Sequence, residues 1–154
     1  MKQAAGIPLA ILLGLIFVSA GFSQERAVSQ CLSFLGKVVP GGFSRMNRTT
    51  YSGFIIDDSG DEHQVQLLVS NDIVYAVVYG AITEYTHEAR EWLSPFYNYF
   101  EDNNWLFSEE ESFIEEDVYT KDDDYVMIPK IFKREDGMIV AMVFFSKIEY
   151  REIF

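Results

Sequence analysis

Residues 86–100, THEAREWLSPFYNYF, decide the fold. Their apolar residues recur at the three- and four-residue spacing of an amphipathic helix, which gathers them on one face. Because proline removes a backbone hydrogen bond, Pro95 predicts a kink, but the apolar face keeps its phase and so predicts one helix. The sequence predicts an N-cap at Thr86 and an end at Asn103-Asn104. The apolar face comprises Ala89, Trp92, Leu93, Phe96, Tyr97 and Phe100.

On both sides of this helix the apolar pattern changes to a period of two, which is typical of β-strands. The predicted strands are 51–57, 63–70, 73–82, 105–107, 113–120, 125–133 and 138–148. A shorter helix is predicted at 25–36. Because short turns join neighbouring strands in an antiparallel sense, the sequence predicts an α+β fold. It is an antiparallel sheet of roughly five to seven strands, with the long kinked helix packed on one face and the shorter N-terminal helix beside it.

The first 23 residues carry the pattern of an export signal. Lys2 supplies a basic start, an apolar run follows, and Ala20 or Ser23 suits a cleavage site. We therefore predict a cleaved signal peptide at 1–23, a single domain at 24–154, and an exported protein that is periplasmic or secreted. The short leader favours a bacterial source. The alternative is an uncleaved anchor, because the apolar run approaches the roughly twenty residues that cross a bilayer.

The formal net charge of −12 narrows the partner classes. An acidic surface repels phosphate backbones and anionic lipid, which argues against nucleic acid and against a peripheral membrane role. After cleavage we expect no integral membrane span, and the expected partner is another envelope or extracellular protein. Because Cys31 is the only cysteine, an intramolecular disulfide is excluded. Cys31 lies on the apolar face of the first predicted helix, where we expect a buried thiol.

Two segments have a marked charge. Residues 109–124 are rich in acids, which predicts a solvated surface, or else a docking surface for a basic partner or a weak calcium site at Asp122 and Asp124. Calcium requires six to eight oxygens, and the spacing of a calcium-binding loop is absent. Residues 37–49 contain three cations and no acid, which predicts a solvated loop or an internal electrostatic fit. We expect no cofactor.

Catalytic chemistry has weak support. The only histidines are His63 and His87, and a small hydrolase would use one of them with nearby carboxylates, for example His87 oriented by Glu84. No serine or cysteine stands in a recognisable nucleophile motif, and no glycine-rich phosphate-binding loop is present. We therefore assign no catalytic residue and expect that the protein is not an enzyme.

Tyrosines are more numerous than a core requires, and tyrosine is favoured at interfaces because it combines a large area with a polar tip. The candidate binding residues are Tyr75, Tyr79, Tyr97 and Tyr125. The strand pattern places Tyr75 and Tyr79 on one face, which either packs under the long helix or binds a partner. The leading hypothesis is an exported, non-enzymatic binding domain. The alternatives are a carrier of a small apolar ligand between helix and sheet, and the small hydrolase.

Overall fold

The computed structural model describes residues 24–57, 59–108 and 117–153. The predicted signal peptide at 1–23 lies outside the described residues. Two helices, α1 (Gln24–Phe34) and α2 (Thr86–Asp102), accompany eight strands. The strands are β1 (Ser44–Asn47), β2 (Thr50–Ile56), β3 (Glu62–Ser70), β4 (Ile73–Thr83), β5 (Leu106–Phe107), β6 (Tyr119–Lys121), β7 (Tyr125–Lys133) and β8 (Ile139–Lys147). A short 3₁₀ helix follows at Ile148–Tyr150.

All eight strands form one antiparallel sheet in the order β1-β2-β3-β4-β8-β7-β6-β5. The predicted α+β fold is confirmed, with a strand count slightly above the expected range. The surplus includes β1, which lies in the segment that the sequence predicts as a loop. Most of the strand predicted at 113–120 lies outside the described residues, and β6 covers its end. In the described part of the chain, no helix is long and apolar enough to cross a membrane.

The main core lies between the helices and one face of the sheet, here called the helix face. Both α1 and α2 pack there, and α2 buries Ala89, Leu93, Phe96 and Phe100 from its predicted apolar side. The helix continues through Pro95, so the prediction of a single helix is confirmed. The predicted N-cap is one residue late. Tyr85 is the cap, and the Glu88 carboxylate accepts its backbone N–H at 3.3 Å.

The opposite side of the sheet, here called the second face, has its own apolar cluster. Its members come from the strands, with Val118 beside β6 and Ile148 in the 3₁₀ helix, and neither α1 nor α2 contributes. Val78, Val140 and Phe144 lie at its centre and are fully buried. Strands β4 and β8 are therefore buried on both faces, which explains why their sequences are apolar at nearly every position.

An irregularity in the pairing of β3 and β4 changes the predicted face of Tyr75. Leu68 pairs with Ala76 and Val69 pairs with Val74, which leaves Tyr75 as an extra residue. Such a bulge interrupts strict alternation. Tyr75 therefore packs against the second-face cluster, whereas Tyr79 lies in the main core. The expectation that these two tyrosines share one face was wrong.

Candidate functional site

A histidine–aspartate pair lies at the turn between β2 and β3. His63 Nε2 is 2.9 Å from Oδ2 of Asp57, and the two side chains are only 7% and 2% exposed. The other carboxylate oxygen, Oδ1, accepts the backbone N–H groups of Ser59 and Asp61 at 2.8 and 3.0 Å. Asp57 thus closes the turn and holds the imidazole at the same time.

Hydrogen bonds from His63 and from these two backbone N–H groups favour the charged carboxylate. They hold the pKa of Asp57 below its ordinary value, with the bond from His63 as the largest cause. The sequence analysis named His63 as a candidate but gave it no partner. The detectable signal was the pair's position at the two ends of a predicted turn, which a hairpin register brings together.

Helix α1 ties itself to the same end of β2. Arg26 Nη1 donates to the Asp57 carbonyl oxygen at 2.9 Å. The Gln30 side chain donates to the carbonyl oxygen of Ile56 and accepts the Ile56 N–H at 3.1 Å. An amide side chain thereby takes the place that a neighbouring strand would occupy along the open edge of β2.

The surroundings of the pair are aromatic and dry. The His63 ring meets the Tyr79 ring edge-on at 6.0 Å, and Tyr79 in turn contacts Trp92 at 5.3 Å and Phe96 at 5.9 Å. Burial raises the pKa of the Tyr79 hydroxyl far above its usual range. These rings fill the space between α2 and the helix face.

Cys31 belongs to the main core, as the sequence predicted. It is completely buried and its thiol is free of any disulfide. Desolvation raises the pKa of the thiol strongly, which disfavours the thiolate that acts as a nucleophile.

The second histidine has a different setting. His87 lies in the first turn of α2 and stacks on the Tyr85 ring, with centroids 5.6 Å apart. Both residues are exposed. The backbone N–H of Glu84, the predicted orienting residue, donates to the Glu88 carboxylate at 3.2 Å. No contact of the Glu84 carboxylate with His87 appears in the described part of the chain.

The four candidate tyrosines do not form one surface. Tyr79 is buried in the main core, and Tyr75 lies on the second face. Tyr97 of α2 and Tyr119 of β6 are both half-buried, and their rings meet edge-on with centroids 6.1 Å apart. Tyr125 lies under the Lys147 ammonium, whose Nζ is 5.8 Å from the ring centroid. Packing within the fold accounts for each of these positions.

The acids at 122–124 form the turn between β6 and β7. Asp122 and Asp123 have φ of 55° and 53°, and the Asp124 N–H donates to the Lys121 carbonyl oxygen at 3.1 Å. Aspartate tolerates this left-handed conformation, which primed hairpin turns require. Over the described ranges, no group of three or more His, Cys, Asp or Glu side chains is placed to hold a metal ion. The left-handed conformation of this turn therefore gives a structural reason for aspartate at positions 122 and 123.

The outer end of the sheet carries an apolar surface that the sequence analysis did not single out. β1 pairs with only Thr50–Ser52 of β2, so Phe54 and Ile56 lie beyond its end. They share the second face and are 55% and 41% exposed. Together with exposed Arg45, Met46 and Arg48 they form what we call the β1–β2 margin. The missed signal was Phe54-Ile55-Ile56, which is apolar on both faces of a strand.

Comparisons with family models, with curated proteins and with solved structures give no match to this chain. The function must therefore be argued from the residues themselves.

Proposed function

We propose that this chain is an exported, non-enzymatic interaction domain that binds a protein partner through the β1–β2 margin. The observation that carries the proposal is the exposure of Phe54 and Ile56 side by side on one strand face. Neighbouring exposed apolar side chains rimmed by polar residues are typical of interaction surfaces. The exposed Glu62, which pairs with Ile56, lies beside these two side chains. Arg45 and Arg48 lie at the other end of the same margin. Arginine is enriched at protein interfaces.

The chemistry of the interior supports a binding role over a catalytic one. The His63–Asp57 pair is nearly inaccessible to solvent, and its bonds to turn backbone give it a structural task. The buried thiol of Cys31 lacks the electropositive, partly exposed setting of a reactive cysteine.

The aromatic packing also favours binding at the surface over carriage of an apolar ligand inside. A carrier needs a cavity of several hundred Å³ between helix and sheet. Here the Tyr79 ring of β4 contacts Trp92 and Phe96 of α2 across that space, at 5.3 and 5.9 Å between centroids.

A matched pair of substitutions tests the proposal. Ile56→Asp places a charge in the β1–β2 margin, whereas Ile153→Asp makes the same change at a comparably exposed position, 41% against 47%, near the C-terminus. The tagged full chain and both variants are expressed in the source organism and recovered under mild salt. We expect a specific partner to accompany the wild type and Ile153→Asp and to be lost with Ile56→Asp.

Circular dichroism and thermal melting establish that Ile56→Asp remains folded. Equal recovery of the partner by Ile56→Asp and the wild type would exclude this surface as the binding site. Recovery of no partner by any form would count against an interaction domain altogether.

A further inference from the structure

The two ends of the strand order carry opposite charge. At one end, residues 44–56, which form β1 and β2, contain Arg45 and Arg48 and no acid, although the whole chain has a net charge of −12. At the other end, β6 is flanked by exposed Asp117 and by the exposed acids of its turn to β7. We call the latter, with β5, the β5–β6 margin.

The same two margins hold most of the exposed apolar side chains. Eight large apolar side chains are exposed in the described part of the chain, and five of them lie on the outer strands at the two ends. Met46, Phe54 and Ile56 belong to the β1–β2 margin, and Leu106 and Phe107 belong to β5. Each margin thus combines apolar area with a net charge. Arg45 and Arg48 make one margin basic, whereas Asp117 and the turn acids outnumber Lys121 of β6 and make the other acidic, so the two net charges are complementary.

From this arrangement we infer that the β1–β2 margin of one molecule docks on the β5–β6 margin of a second copy of the same chain. The inference rests on the proposed function, because it names the partner of the same surface. The two docking surfaces are different, so the contact is heterologous and leaves one free margin at each end of a dimer. Further copies add to those free margins.

Protection of a sheet edge accounts for part of this pattern. Short, bulged and charged edge strands prevent unwanted pairing, and β1 has all three features. Edge protection does not by itself give the two ends of the strand order opposite net charge, and that opposition is the feature that docking of a second copy explains.

Docking occurs through side chains rather than by addition of a strand. The Gln30 amide already occupies the backbone groups of Ile56. The Arg45 guanidinium donates to the carbonyl oxygens of Asn47 and Arg48 at 3.0 and 3.5 Å. With these edge groups occupied, the exposed apolar and charged side chains supply the contact.

Salt gives this contact a characteristic dependence. At about 0.01 M salt the Debye length is roughly 30 Å, so two copies of net charge −12 repel each other as whole molecules. At about 0.1 M salt the Debye length falls to roughly 10 Å, which screens the repulsion between whole molecules but leaves the attraction between close charges of the two margins. At about 1 M salt the Debye length is roughly 3 Å, and the attraction between the margins is screened as well. We expect self-association to be strongest at intermediate salt.

The test is sedimentation velocity of the purified full chain across these salt concentrations. One variant, Arg45→Glu with Arg48→Glu, reverses the basic margin, and we expect association to weaken about tenfold or more. Arg48→Glu alone is the milder form, because it leaves the hydrogen bonds of Arg45 in place. The control, Arg90→Glu with Lys133→Glu, alters exposed cations elsewhere. Each reversal changes the charge by two, so both double variants go from −12 to −16.

A mixing experiment decides the pairing. A second variant, with Asp117→Asn, Asp122→Asn and Asp123→Asn, removes three of the four described acids of the β5–β6 margin, and asparagine retains the left-handed turn. This variant and the basic-margin variant should each be monomeric alone. Mixed together, they should form dimers, because each retains the margin that the other has lost.

A mixture that stays monomeric while the wild type associates would overturn the head-to-tail pairing, as would equal weakening by the Arg90/Lys133 control. A wild type that is monomeric at every salt concentration would overturn self-docking entirely. If Ile56→Asp then still loses a different protein partner, the proposed function stands without it. If no partner is lost either, both proposals fail.

Discussion

The assignment of Phe54 to the surface and Phe96 to the core makes a quantitative prediction. Both are phenylalanines in regular secondary structure, but Phe96 is 1% exposed between α2 and the sheet, whereas Phe54 is 55% exposed. Phe96→Ala removes a fully packed ring and leaves a cavity, which lowers the free energy of unfolding by about 3–5 kcal/mol. Phe54→Ala removes a ring that is less than half buried and leaves a space that water fills, so we expect about 1.5 kcal/mol or less.

These energies translate into melting temperatures. An unfolding entropy of about 2.1 cal/mol/K per residue over about 130 folded residues gives a shift of about 4 °C for each kcal/mol. Phe96→Ala should therefore melt about 11–18 °C below the wild type, and Phe54→Ala within about 6 °C of it.

Circular dichroism melts, with urea midpoints as an independent measure, test both values. A loss for Phe54→Ala as large as that for Phe96→Ala would place Phe54 inside the core and remove the β1–β2 margin as a free surface. A loss below about 1 kcal/mol for Phe96→Ala would mean that α2 is not fixed to the sheet as described.

Three further outcomes follow from the same structure. Gly80→Ala should lower the free energy of unfolding by about 1–3 kcal/mol in urea titrations, because its Cβ would lie 2.6 Å from a carbonyl oxygen of β8. Gly41→Ala, whose Cβ would have no atom within 4 Å, should change it little, and equal urea midpoints for the two variants would contradict the close approach at Gly80. The pKa of Asp57 is lowered in the folded state, so its contribution to stability is complete above the unfolded value of about 3.9 and is lost as pH falls through the folded pKa. Between about pH 5 and pH 2 the urea midpoint of the wild type should therefore fall more steeply than that of Asp57→Asn, and parallel curves would refute the link. The buried Cys31 thiol, its pKa raised, should resist a disulfide-exchange reagent at pH 8 until the chain is unfolded, and rapid native labelling would show that it is accessible.

The long helix and the central strands were predictable because their signals are local. The apolar spacing in α2 and the two-residue alternation in β3 each belong to a single stretch of chain. The turn at Asn71 and Asp72, both with positive φ, likewise follows from residue types that tolerate that conformation. Pro129 lies where β6 no longer pairs with β7, so its missing N–H costs no hydrogen bond to β6.

The short strand β1 was not predictable from the same signals. Its sequence, SRMN, has no alternating apolar pattern, and all four residues are exposed. Its pairing depends on the backbone of β2, so the periodicity of its own side chains does not predict the strand. The face of Tyr75 depends in the same way on an irregular register with β3, which one strand's sequence does not determine.

The partner of His63 was predictable only in part from the sequence. A turn between the strands predicted at 51–57 and 63–70 was expected, but a turn alone does not say which side chains close it. The Asp57–His63 bond needs both residues on the helix face, where burial excludes water from the pair. Which face of the sheet is buried depends on the packing of α1 and α2 against it. This packing joins segments that are far apart in the chain, so a local pattern does not predict it.

The charge asymmetry depends on a single long-range pairing. In the sequence, Arg45 and Arg48 are about seventy residues from the acids around β6, and the pattern is compatible with mutual neutralisation inside one molecule. The pairing of β4 with β8 joins the two halves of the sheet and places the later strands beyond the earlier ones. Had β8 instead paired with β1, only β7 and β8 would have separated the acids around β6 from the cations of β1. The observed order sends them to opposite margins, and the proposed docking of a second copy would bring the two charges together.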